Sequence, residues 1–339
     1  MTAQFQYKPQ MIREDFVDFV LESIHPMWAW KRVKAMVKEV KALSPDMTQL
    51  TLKPNHNFDA SAVKAGQCVL LTLVIDGVRQ QRSYSVIEAN ADTVVLGIKA
   101  QGLVSRAVKD LVVGSYVELS QAQGDFTLHA GKDAALFIAS GSGITAIYAL
   151  VKQAVVQNLK AIDVIYFTRD DVFHVELEQL AKQYPQLNYH HVNTTATGQH
   201  LTQAFLEENV PEFASRHTYA CGSIAMMRAV DLIYHHNKAI QYLHTEFFQP
   251  KVDENAVAQP VFFQRSQQNF EADSTLLVSA EQAGLRPSHG CRMGICNTCT
   301  CTKVSGTTKN ILTGELDHGT NTQIKLCVSQ AVSPVVINL

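Results

Sequence analysis

Apolar residues recur along the chain in distinct rhythms, and each rhythm predicts a different kind of structure. Over residues 13–24, Phe16, Val17, Val20, Leu21 and Ile24 return at three- and four-residue spacing, the stripe of an amphipathic helix. Pro26 ends it, and Met27-Trp28-Ala29-Trp30-Lys31-Arg32 follows. From residue 33 short alternating or wholly apolar runs take over, at 35–42, 49–53, 69–75, 93–99 and 116–119, with Gly66, Gly77, Gly114 and Gly124 among them. Evenly spaced strands with turn signals predict a small antiparallel β-barrel over residues 33–130. From residue 134 the order becomes strand, glycine turn, helix (134–139, 141–143, 147–157), and strand-like runs at 163–168 and 218–221 again lead into helical patterns. That alternation predicts an α/β doubly wound domain over 131–248. Residues 249–259 are polar, contain Pro250 and lack a period, so they read as a linker. Residues 260–339 form a last unit with its own strands and a helix near 275–283.

Composition narrows the classes. The 339 residues are 46% hydrophobic and 18% charged, with net charge -2, so nothing basic invites nucleic acid. No window holds the run of about 18 apolar residues that a membrane span needs. The N-terminus lacks a basic stretch leading into an apolar run, which points to the cytoplasm. Of the seven cysteines, Cys291, Cys296, Cys299, Cys301 and Cys327 crowd into the last unit. In a chain read as cytosolic, that crowding argues for metal ligation rather than disulfides.

The spacing C-x4-C-x2-C of Cys291, Cys296 and Cys299, completed by the distant Cys327, is the plant-type [2Fe-2S] pattern. Three thiolates on one short loop force the backbone to wrap a small cluster, and Gly290 and Gly294 permit that wrapping. The alternative, a structural zinc site, normally joins two close Cys or His pairs, whereas here there is one close pair and a lone fourth thiol. Cys301 and Cys68 read as buried core thiols. The segment 260–339 resembles a plant-type ferredoxin domain, which implies an α+β ferredoxin-like (β-grasp) fold with Cys291, Cys296, Cys299 and Cys327 as iron ligands.

A second motif is Arg82-Ser83-Tyr84-Ser85. A guanidinium suits bidentate contact with phosphate, and an aromatic two residues on can lie against a flat ring. Gly102-Leu103-Val104-Ser105 opens a short helical run, a natural phosphate site, and Gly124-Asp125-Phe126 closes the barrel. Together these resemble the flavin-binding barrel of the ferredoxin–NADP reductase superfamily. The resemblance implies FAD rather than FMN, with Arg82 and Ser105 at the flavin phosphates beside Ser83, Gly102 and Val104. It puts Tyr84 on the ring face and Ser85 at the ring edge. Ala122 stands where that family commonly has proline.

Gly141-Ser142-Gly143 and Thr145 lie between an apolar strand and a helix, where a pyrophosphate is favoured. They match the nucleotide motif of the same superfamily, with Ala146 at a position that is often proline. Cys221-Gly222 follows the pattern of a strand end facing nicotinamide, with Ser223 again replacing proline. The resemblance thus makes Tyr84, Ser85 and Cys221 the catalytic candidates and Phe248 or Phe247 a shield over the flavin, core packing being the alternative. Arg169 could meet a 2′-phosphate, but Asp170 and Asp171 beside it oppose one, so NADH and NADPH both stay open.

A hydride carries two electrons and an iron-sulfur cluster accepts one, so a flavin must stand between donor and cluster. The domain order resembles the oxygenase and desaturase reductases, which implies an electron-acceptor protein as partner. The segment 291–302 with Asn310 to Gly314 is similar to reductases feeding bacterial membrane fatty-acyl desaturases. Soluble ring-hydroxylating oxygenases are the alternative client, and a non-catalytic redox sensor is the rival of another class. The stretch Trp28, Trp30, Lys31 and Arg32 leaves two readings open: peripheral contact with the inner face of a membrane, or a helix packed on the chain's own barrel.

Overall fold

A computed structural model describes residues 14–248 and 256–339. Residues 1–13 and most of the expected linker lie outside the described residues. Helix α1 (Glu14–Ile24) precedes six strands: β1 (Val33–Ala42), β2 (Met47–Pro54), β3 (Cys68–Ile75), β4 (Val78–Asn90), β5 (Thr93–Lys99) and, after α2 (Leu103–Ala107), β6 (Tyr116–Leu119). All neighbours are antiparallel and close in the order β1-β2-β5-β4-β3-β6. The expected barrel is therefore present. Its interior is filled by alternate residues such as Leu50, Leu52, Val69, Leu71, Val94 and Leu96, all fully buried.

The second unit runs β7 (Ala135–Ser140), α3 (Ile144–Gln157), β8 (Ile162–Thr168), α4 (His174–Gln183), β9 (Leu187–Asn193), α5 (Thr194–Thr197), α6 (Gln203–Asn209), β10 (His217–Cys221), α7 (Ile224–His236) and β11 (Leu243–Glu246). Its parallel sheet has the order β11-β10-β7-β8-β9. Residues of one strand alternate between two cores. Phe137 and Ala139 pack with Ile147, Leu150 and Val151 of α3, while Leu136 and Ile138 pack with Met227, Val230 and Tyr234 of α7. Burial on both faces explains the near-continuous apolar strands of a doubly wound sheet. The strand order reverses between β7 and β10, so the turns after these two strands open onto one crevice.

The last unit holds β12 (Gln259–Phe263), β13 (Gln268–Ala272), α8 (Leu276–Gln282), β14 (Thr300–Ser305), β15 (Thr308–Asn310), β16 (Leu316–Asp317), β17 (Thr322–Lys325), β18 (Ser329–Ala331) and β19 (Val335–Ile337). A mixed sheet β13-β12-β19-β14-β17 and a small sheet β16-β15-β18 enclose Leu276, Leu277 and Ala280 of α8. This is the expected α+β unit. Cys301 sits on β14 in that core, and burial pushes its thiol up to about 12.

Helix α1 meets the barrel with a mixed face: Val17 and Leu21 are half-buried beside Asp18 and Glu22, while Phe16, Phe19, Val20 and Ile24 are exposed. Asp18 accepts the Trp30 backbone N–H at 2.6 Å and pairs with Arg32 Nε at 2.5 Å. Glu22 pairs with Lys34 Nζ at 2.8 Å and Arg32 Nη2 at 3.2 Å. Arg32 is thus held by carboxylates of Asp18, Glu22 and Glu118 and is only partly exposed.

Candidate functional site

The four residues from Arg82 to Ser85 lie inside β4 rather than at the end of the preceding apolar strand. They line a cavity of about 260 Å³ together with Gly102, Val104 and Ser105. Ser85 is buried, and its Oγ has no hydrogen-bond partner among the described residues. Burial pushes the Tyr84 phenol up to about 12, so it stays protonated. Burial, and then the positive charge of Arg292 from the last unit, lower the Arg82 pKa. Arg82 and Arg292 both line the cavity, but both carboxylate oxygens of Glu281 hold Arg292, so Arg82 is the guanidinium that a phosphate would meet. Ser105 is committed to its own turn: its Oγ accepts the N–H groups of Gln101 and Gly102, each at 2.9 Å. An orphaned hydroxyl, a half-buried phenol ring and the Arg82 guanidinium fit a flat ring carrying phosphate.

A second cavity of about 630 Å³ opens at the crevice where the strand order reverses. Gly141 and Ser142 line it from the turn after β7, and Gly222 and Ser223 from the turn after β10, with Arg169 and Asp170 beyond the end of β8. Gly143 lies beneath: a Cβ there would stand 2.0 Å from the carbonyl oxygen of Cys221, so the two turns can meet only at glycine. Ser223, in the proline position, caps α7 by accepting Met226 N–H at 3.4 Å, and its own N–H donates to Ser140 Oγ at 2.7 Å. Cys221 is fully buried and lines neither cavity, and burial raises its pKa well above the ordinary thiol value. Thr145 lines the first cavity and donates to Ser142 O at 3.0 Å. Phe247 and Phe248, with Lys99, Gln101 and Ser142, line both cavities and so stand at their junction.

The cysteine loop closes on the barrel. Cys291, Arg292, Met293 and Ile295 form part of the first cavity's wall, and Cys291 and Cys296 pack against Leu70 of β3. A Cβ at Gly290 would meet Cys296 Sγ at 2.9 Å and Gln81 Oε1 of β4 at 3.1 Å. The four thiols fall into neighbouring pairs. Cys296 N–H points at Cys291 Sγ and Cys291 N–H at Cys296 Sγ, each at 3.3 Å, while Cys299 and Cys327 sulfurs lie 3.3 Å apart. The N–H groups of Met293 and Gly294 reach Cys291 Sγ and Cys327 Sγ, again at 3.3 Å. Among the described residues no three His, Cys, Asp or Glu form a cage for one metal ion. Paired thiols ringed by N–H donors suit a two-iron cluster, whose sulfurs carry negative charge and need such donors.

Comparison with known proteins agrees with this geometry. The "Oxidoreductase FAD-binding domain" family matches residues 34–128, the "Oxidoreductase NAD-binding domain" family residues 137–231, and the "2Fe-2S iron-sulfur cluster binding domain" family residues 261–332. The chain belongs to the ferredoxin–NADP reductase superfamily and carries a C-terminal [2Fe-2S] domain. It is an electron-transfer oxidoreductase of the FAD, NAD and [2Fe-2S] type. The reductase is 29% identical over 339 residues to an NADPH oxidoreductase of Mycobacterium tuberculosis, covering 95% of this chain and 88% of that one. It is 27% identical over 285 residues to a glycine betaine monooxygenase reductase subunit of Chromohalobacter salexigens, covering 72% and 77%. A solved phthalate dioxygenase reductase shares the fold, with TM-score 0.62 and 23% identity, covering 91% of this chain and 98% of that one.

One residue of the reductase's site escapes sequence reasoning. Glu246 ends β11 in register with Cys221 and lines the first cavity. Its Oε2 is buried without a partner, and burial pushes the carboxyl up to about 8. Cys68 lies on the same wall, with its thiol 3.4 Å from Gln123 O and likewise raised by burial to about 12. Among the described residues no helix is long and apolar enough to cross a membrane.

Proposed function

We propose that the reductase takes hydride from a nicotinamide nucleotide and delivers electrons one at a time to an oxygenase component. One observation carries the reading: the loop from Cys291 to Ile295 forms a wall of the same cavity that Arg82–Ser85 line, so the two redox sites adjoin. Bound flavin accepts two electrons together and releases them singly, which is what lets a nicotinamide serve a one-electron cluster. In this reading Arg82 would hold the flavin phosphates with the Val104 N–H, because the Ser105 hydroxyl and the Gly102 N–H are spent on their own turn. Tyr84 lies on the ring face and Ser85 donates to the ring edge. Gly141, Ser142 and Gly222 would cradle the nucleotide, with Gly143 and Cys221 packed behind them to let the two turns meet, and Phe248 or Phe247 would cover the flavin ring. Glu246 stays neutral at pH 7 and offers a proton donor where the ring edge meets the nicotinamide. Cys291, Cys296, Cys299 and Cys327 hold the cluster.

NADPH is the preferred donor in this reading: the similar mycobacterial protein bears that donor in its name, and Arg169 and His200 line the second cavity against the opposing charge of Asp170. The oxygenase client is supported by the similarity to a monooxygenase reductase subunit. A membrane-bound fatty-acyl desaturase is the second reading, favoured by the outward apolar face of α1. Anaerobic stopped-flow absorbance of the holoprotein is the test. Flavin bleaching followed by cluster bleaching, faster with NADPH than NADH, is expected. Protein that holds flavin but neither iron nor acid-labile sulfide would overturn the exit route.

A further inference from the structure

The orientation of α1 reverses the usual arrangement. A surface helix normally buries its apolar stripe and exposes its charges. Here Asp18 is buried and Glu22 half-buried against Arg32 and Lys34, while Phe16, Phe19 and Ile24 stand 66%, 67% and 66% exposed on the other side, with Val20 between them. Burial works against ionised Asp18, yet the hydrogen bonds from Arg32 and Trp30 hold its pKa below the ordinary value, so the inward charge is secured. Immediately after the helix, Trp28 and Trp30 are both half-exposed, and Lys31 Nζ lies 5.5 Å from the centre of the Trp30 ring.

From this we infer that α1 and the Trp28–Trp30 turn form a bilayer-docking surface that seats the reductase on a lipid membrane. Phe, Ile and Val insert at the acyl boundary, and tryptophans favour the headgroup level. A second copy of the chain would also bury the apolar face. It would find no use for two half-exposed tryptophans at the edge of that face. The surface stands apart from the redox reading, because lipid binding is measured with no nucleotide present.

Trp28 and Trp30 are the only tryptophans in the chain, so intrinsic fluorescence reports on this surface alone. The holoprotein is mixed with phosphatidylcholine vesicles, with or without phosphatidylglycerol. The expected result is co-sedimentation with the vesicles, a blue shift of the emission, and quenching by brominated lipid. Phe16→Ser combined with Phe19→Ser is expected to weaken partitioning by roughly tenfold or more, the loss of two buried aromatic rings. NADPH–ferricyanide turnover stays unchanged, because both side chains are exposed and far from the cofactor motifs in sequence. Unmoved emission with no co-sedimentation would overturn the inference. So would a dimer seen by sedimentation velocity that the double substitution disperses while vesicles bind neither protein.

Discussion

Two carboxylates show how differently the barrel clamp and the cofactor junction treat the same chemical group. Glu118 of β6 is half-buried among Lys34 at 2.6 Å, Arg32 at 3.4 Å and Arg79. Burial opposes its charge, but hydrogen bonds from Arg79 and Lys34 win and bring its pKa to about 2. Glu246 has no such partners, and burial alone carries it to about 8. A buried group surrounded by partners is structural, and its removal weakens the fold. A buried group without a partner is a cost that the fold carries for the sake of a ligand. Ser85, with its orphaned hydroxyl on the Glu246 cavity, belongs to the second kind.

This contrast yields opposite expectations for stability. The folded pKa of Glu246 lies above its ordinary 4.5, so unfolding releases a proton between the two values. Its contribution is full below pH 4.5 and is lost as pH rises through about 8. Glu246→Gln should therefore stabilise the flavin-free protein, by ~3 kcal/mol at neutral pH and by very little below the ordinary carboxyl value. Chemical denaturation at several pH values measures this, and an unchanged or lowered stability at neutral pH would break the contrast. Ser85→Ala comes next in size. It should slow flavin reduction by about a hundredfold, the usual loss for one well-placed donor at a reacting centre. Thermal stability should stay within ~0.5 kcal/mol, since no partner is orphaned by the change. A stability loss with normal reduction would show that the hydroxyl serves the barrel.

What was legible in the sequence follows from how local each signal is. The cysteine loop could be read because three ligands and two glycines fall within ten residues, and Gly294 does adopt a left-handed φ of +74°. The paired faces of the parallel sheet were legible as apolar strands between helices. The 13-residue strand β4 was not, because its residues from Arg82 to Ser85 turn polar atoms toward the cavity and erase the alternation that marks a strand. Glu246 looks like any glutamate until β11 is placed beside β10, because the lack of a partner is a property of the assembled fold. For α1, the 3.6-residue period announces a stripe but cannot say which way it faces. Ion pairs of Asp18 and Glu22 with Arg32 and Lys34 decide that, and they join helix α1 to the start of barrel strand β1 across up to 14 residues of sequence.

The smallest expected effect concerns the clamp itself. Because the folded pKa of Glu118 is depressed from its ordinary 4.5 to about 2, its stabilisation is complete above pH 4.5 and vanishes as pH falls through about 2. Glu118→Gln should lower stability by ~2 kcal/mol at neutral pH, less than the full shift implies because Arg79 and Arg32 remain partly solvated. The deficit should close in acid, where wild type and variant converge. Flavin reduction should be untouched. The same substitution removes the shared partner of Lys34 and Arg32, which then lean on Glu22 and Asp18 alone. Hydrogen exchange should accordingly rise in α1 and at Arg79 and remain unchanged over Arg82–Ser85. Exchange rising equally at both places would mean that the clamp and the cofactor junction are one cooperative unit, and the division between structural and functional carboxylates would fail.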